Sequence, residues 1–149
     1  MAEVLLFHHV LGLTAGVTGF ADALRAAGHV VHTPDLFDGR VFATIDEGIA
    51  HVDEIGFPTV LERGLAAAEG LPEALVYAGF SLGVVPAQCL AQTRPGARGA
   101  ILMEACVPMA EFGGSWPSGA RWARYWRWPN RTASRRMRPR ARRWRTMFT

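Results

Sequence analysis

The sequence has no lysine. That excludes a phosphate-binding loop of the GxxxxGK[ST] type and any lysine Schiff base. Cysteine is nearly as scarce. Cys89 and Cys106 are too few for a disulfide framework, so a reducing compartment, the cytoplasm, is expected. The start lacks a basic region ahead of an apolar stretch, so no signal peptide is expected. No apolar run approaches the ~20 residues that a membrane span needs. Acids are missing from one part of the chain altogether. Residues 1–118 hold 13 acids against 5 arginines, a balance of −8, whereas residues 119–149 hold 11 arginines and no acid, a balance of +11. The formal charge of +3 over 149 residues therefore averages an acidic body and a basic tail, and the pI near 9.5 describes only the tail. A protein-wide basic surface for nucleic acid is not supported.

What the chain does have is apolar. Half of its residues are hydrophobic and 19% are charged, the composition of a globular body with a core of its own. Residues 3–7 (EVLLF), 29–33 (HVVHT), 74–78 (ALVYA) and 99–105 (GAILMEA) read as short buried strands. Residues 10–19, rich in glycine and threonine, read as a loop. Residues 20–27 (FADALRAA) have helical spacing, with Gly28 as a C-terminal cap. Thr44-Ile-Asp-Glu47 matches a capping box and opens a helix that Gly56 ends. Residues 59–69 and 84–92 are two further helices, the second with Pro86 tolerable in its first turn. The order β-α-β-α-α-β-α-β predicts an α/β fold, a parallel sheet covered on both faces. After about Gly114 the pattern collapses, and Pro129 and Pro139 break any helix beyond it.

One motif carries chemistry. Gly79-Phe80-Ser81-Leu82-Gly83 is G-x-S-x-G, set between the ALVYA strand and the VVPAQCLAQ helix. In that context it is a nucleophile elbow: Ser81 in a strained conformation at the sheet's carboxyl edge, and Gly79 and Gly83 allowing close backbone approach. The following helix aims its N-terminus at the site, and the Leu82 N–H is one expected oxyanion donor. A second donor is expected from the loop after the first strand, at the Val10 N–H. For His8 the expectation is a neutral ring bonded to backbone. For His9, loop packing and a place lining the site both stay open. A metal is not expected, because no cluster has ligand spacing. Gly12, Gly16 and Gly19 do not form a dinucleotide fingerprint. Asp35 and Asp38 read as turn formers and Cys89 as core; Glu104 reads as a satisfied strand-end carboxylate, with a place facing the site as the alternative.

The segments VLLFHHVLGLT, HTPDLFDGR, VYAGFSLGVVPAQCLAQTRPGARGA and EFGGSWP resemble the dienelactone hydrolase family, a compact branch of the α/β-hydrolases. The resemblance covers residues 2–118. It implies an α/β-hydrolase-like three-layer parallel sheet, truncated at the C-terminal end. It also implies hydrolysis of small esters or lactones without a cofactor, with Ser81 as nucleophile and the amides of Val10 and Leu82 as oxyanion hole. Many members of the family place cysteine where this chain has Ser81, and well-studied members place a glutamate where it has His9. The family's triad Asp and His come after the nucleophile. Here the only later acids are Glu104 and Glu111, and no histidine follows His51. A serine without its base is a weak nucleophile, so impaired activity is expected.

Residues 119–149 are expected to form no strand or helix and to be disordered or frame-shifted, and besides a disordered segment with no selected partner two readings stand. Sixteen arginines without lysine suggest a G+C-rich gene, and such a gene read out of frame yields Arg, Ala, Pro, Ser and Trp; the tail is then non-native. Alternatively the chain is a non-catalytic α/β domain whose tail, with Arg among Trp122, Trp126, Trp128 and Trp144, binds nucleic acid or anionic membrane. No obligate protein partner is evident.

Overall fold

The structure, a computed structural model, describes residues 1–113, 115, 116, 118 and 121–125, without the side chains of 122–125. The readings made for the remainder of 119–149 lie outside the described residues. Five strands form one parallel sheet in the order β2-β1-β3-β4-β5: β1 (Glu3–Phe7), β2 (Val30–His32), β3 (Val76–Phe80), β4 (Gly99–Met103) and β5 (Arg121–Tyr125). Four helices accompany them: α1 (Ala15–Ala26), α2 (Ile45–Ile55), α3 (Phe57–Ala66) and α4 (Val84–Thr93).

Strands β1, β3 and β4 read as apolar runs because both faces of the sheet are covered there. The two-residue alternation sends Leu5, Phe7, Tyr77, Ala100 and Leu102 to one face, where Val52, Val60 and Val85 of α2, α3 and α4 meet them. It sends Val4, Leu6, Val31, Ala78 and Met103 to the other, where Val17 and Ala21 of α1 pack. Helix α4 is buried from Val84 through Ala91, which explains why its sequence is apolar all round.

Several boundaries differ from expectation, each for a physical reason. Helix α1 begins at Ala15, inside the stretch expected to be loop. Gly16 and Gly19 each cost a helix about 1 kcal/mol, but Val17 and Ala21 lie on the core-facing stripe and their burial outweighs that cost. Strand β3 runs two residues further than expected, through Gly79 to Phe80, because it continues straight into the turn at Ser81. Strand β5 forms where no strand was expected. Its pattern, RWARY, has no apolar period, yet it pairs with β4 from Gly99↔Arg121 to Met103↔Tyr125. The buried backbone of β4 needs a ladder on that edge whatever the side-chain period. The capping box forms as expected: Thr44 Oγ1 accepts the Glu47 N–H at 3.3 Å, and the Glu47 carboxylate accepts the Thr44 N–H at 3.1 Å. Among the described residues no helix is long and apolar enough to cross a membrane.

Candidate active site

Strand β3 occupies the centre of the sheet, and Ser81 follows its last residue. Ser81 has φ +47°, in the left-handed region that L-residues other than glycine avoid. The chain turns there through Ser81–Gly83 and enters α4 at Val84. Both elbow glycines are needed for close approach rather than for φ. A Cβ on Gly79 would overlap the Gly83 carbonyl, and one on Gly83 would lie 2.6 Å from the Phe7 oxygen and 2.5 Å from the His8 oxygen. The elbow is thus pressed against the end of β1, which brings the His8–Gly12 loop alongside Ser81.

That loop is organised by its histidines. His8 is fully buried, donating from Nδ1 to the His9 carbonyl at 2.7 Å and accepting the Leu36 N–H at Nε2, 2.9 Å. These two bonds define a neutral ring, and burial holds its pKa below the ordinary histidine value. His9 is partly buried, and burial lowers its pKa as well, with the Glu104 charge opposing. Its Nδ1 accepts the Leu11 N–H at 3.2 Å, so the neutral ring carries its proton on Nε2, 3.4 Å from Thr14 Oγ1. In that tautomer His9 is a hydrogen-bond donor and offers Ser81 no free basic nitrogen. The Gly12 N–H bonds back to the His9 carbonyl at 3.0 Å. Between these, the Val10 N–H has no acceptor among the described residues. The Leu82 N–H belongs to the first turn leading into α4, where helical amides lack partners of their own and the dipole favours negative charge. The Ser81 hydroxyl likewise has no hydrogen-bond partner among the described residues.

Glu104, read from sequence as a strand-end carboxylate or a residue facing the site, and Gln88, which the sequence reading passed over, shape the other side. Glu104, directly after β4, has φ +68°. Gln88 of α4 is fully buried and clamps the chain beyond Glu104: its Oε1 accepts the Val107 N–H at 2.9 Å and its Nε2 donates to the Val107 carbonyl at 2.8 Å. The available signal was a glutamine inside an otherwise apolar buried helix, since a buried amide is kept only where it is fully bonded. Asp35 accepts the Phe37 N–H, and Asp38 pairs with Arg63 at 2.7 Å. Cys89 is buried, which raises its thiol pKa. A cleft of about 410 Å³ lined by Arg40, Phe42, Glu47, Ala50, His51 and Glu54 contains none of Ser81, Val10 or Leu82. Among the described residues no cluster of three or more His, Cys, Asp or Glu could hold a metal ion.

No model of a known protein family matches the chain, and no curated protein does. Solved structures do. A dienelactone hydrolase-like promiscuous phosphotriesterase, P91, from metagenomic libraries is 21% identical with a TM-score of 0.51, over 68% of this chain and 46% of that one. A Klebsiella pneumoniae protein named for dienelactone hydrolase is 17% identical with a TM-score of 0.55, over 69% of this chain and 48% of that one. The fold is that of the dienelactone hydrolases. The chain spans about half the length of each of these structures. In this dienelactone hydrolase-like fold the strained serine ends the central strand, and the loop with the free Val10 amide ends its neighbour.

Proposed function

We propose that the chain belongs to the dienelactone hydrolase family and that Ser81 is the nucleophile of a site for small esters or lactones. The observation that carries this reading is the left-handed Ser81 between a central strand and a buried helix. Such strain costs about 1–3 kcal/mol and clusters at functional sites. In the first half-reaction Ser81 Oγ bonds to the acyl carbon, the amides of Val10 and Leu82 stabilise the oxyanion, and the ester C–O bond breaks. The leaving alcohol takes up a proton as the Ser81 hydroxyl loses one. Water then releases the acid by the same route. With no histidine after His51, this chain is expected to acylate with activated substrates and to turn over slowly. P91 is described as a promiscuous phosphotriesterase, which makes an activated phosphotriester a reasonable second probe.

The test is labelling with a fluorophosphonate, followed by mass analysis of the modified peptide. Labelling at Ser81 that Ser81→Ala abolishes supports the reading. Folded protein that stays unlabelled at high probe concentration refutes it.

A further inference from the structure

Resting on the reading of Ser81 as nucleophile, we infer that the site takes neutral or cationic acyl groups and turns away those bearing a carboxylate, with Glu104 as the specificity-determining charge. Met103 is the register partner of Phe80, so Glu104 and Ser81 leave adjacent strands at the same level of the sheet. Both do so in the left-handed conformation. The Glu104 carboxylate is exposed and, among the described residues, has neither an ion-pair partner nor a hydrogen bond. Its charge nevertheless acts on His9, which follows β1 on the opposite side of β3. The carboxylate and the His9 ring therefore flank the strand that presents Ser81.

The other wall adds charge of the same sign. Gly48 of α2 is packed tightly against the Val10 carbonyl, which sets the first turn of α2, with the exposed Asp46, beside the oxyanion loop; the Glu47 carboxylate of the same turn is held by the capping box. Among the described residues, positive charge on this side is already committed. Arg40 is turned toward His51 at 3.4 Å and Glu54 at 3.9 Å, and Arg63 is bound to Asp38 and to the Leu36 carbonyl, each at 2.7 Å. Arg94 and Arg98, between α4 and β4, belong to the amino-terminal edge of the sheet, away from Ser81. The two histidines nearest the elbow are held neutral by the bonds described above. Among the described residues the unpaired charge flanking Ser81 is thus negative, and unpaired charge of one sign beside a site repels substrates of that sign at encounter and in the bound state.

The experiment uses a rigid pair of activated esters, mono-4-nitrophenyl terephthalate and its methyl ester, which differ by one remote negative charge. Attack by Ser81 forms the Oγ–acyl bond, breaks the bond to 4-nitrophenolate and passes the hydroxyl proton to water, so the nitrophenolate burst reads acylation directly. Each rate is divided by that ester's hydrolysis in buffer. The methyl ester should acylate the full chain about three- to tenfold faster than the anion at low salt, the effect of one unit charge about 4 Å away under the full screening of water, as suits the exposed Glu104. Glu104→Gln should bring the ratio toward one, and added salt should do the same in the parent chain. A ratio of one, or a ratio that Glu104→Gln leaves unchanged, overturns the inference while Ser81 stands. A burst absent with both esters, or one surviving Ser81→Ala, overturns the reading of Ser81 and the inference with it.

Discussion

Gly83→Ala isolates the packing of the elbow from its strain. Gly83 has φ −64°, which any residue adopts, so the substitution brings no conformational penalty of its own. The added methyl would meet three backbone atoms of the end of β1: the His8 oxygen at 2.5 Å, the Phe7 oxygen at 2.6 Å and the Phe7 carbonyl carbon at 2.8 Å. None is the movable end of a side chain, and β1 is held by β2 and β3 on either edge. Relief requires α4 and β1 to separate, so the cost lies at the upper end of the overpacking range, about 2–3 kcal/mol. For a chain of this size that lowers Tm by about 5–10 °C and the urea midpoint by about 1 M. Gly19→Ala is the matched control. Gly19 lies inside α1 with nothing within 4 Å of the new Cβ, so the same chemical change should stabilise by about 0.5–1 kcal/mol. Thermal and urea melts of the two variants should move in opposite directions. Equal stabilities, or a Gly83→Ala variant as stable as its parent, would refute the close approach of the elbow to β1.

Other perturbations follow from the same geometry. Ser81→Gly removes the left-handed penalty and should raise stability by about 1 kcal/mol while abolishing fluorophosphonate labelling; calorimetry showing no gain would mean that the serine is not strained. Gln88→Leu strands both polar groups of Val107 and should cost about 2–3 kcal/mol, with faster amide exchange at residues 105–107 as the local readout. His8 gives a pH dependence whose sign is fixed. Its folded pKa lies below the ordinary 6.5, so the unfolded chain binds the proton first and stability is lost as pH falls from about 6.5 toward the folded value. Melts between about pH 7.5 and 5.5 should show that decline, with a shallower slope in His8→Leu.

Much of the parallel sheet was legible because buried parallel strands are continuous apolar runs, and EVLLF and GAILM have no other plausible use in a globular chain. The elbow was legible because Gly79 and Gly83 stand two residues either side of Ser81 between a strand and a helix. Helix α1 was legible only in its second half. Glycine propensity is local, whereas the burial of Val17 is decided by a strand that precedes it in sequence. Strand β5 was illegible for the converse reason, since its place is set by the open edge of β4. Glu104 read as a strand-end acid that could also face the site. Its left-handed backbone has no signal in the sequence, and its action on His9 depends on the register of β3 with β4 rather than on anything adjacent in the chain.

The interior position of β1 has a consequence for how the molecule is made. β1 pairs on one side with β2 and on the other with β3, where Val4 meets Val76, 72 residues along. A ribosome releasing the chain from its amino end delivers this interior strand before either of its neighbours. Until residue 80 emerges, Leu5 and Phe7 have no β3 beside them, and the elbow has no β1 to press against. Non-local parallel pairing of this kind is slow to nucleate, and an unpaired apolar strand is open to capture by other chains meanwhile. The same long-range contact that holds Ser81 in place makes the nascent first strand a natural client for chaperones.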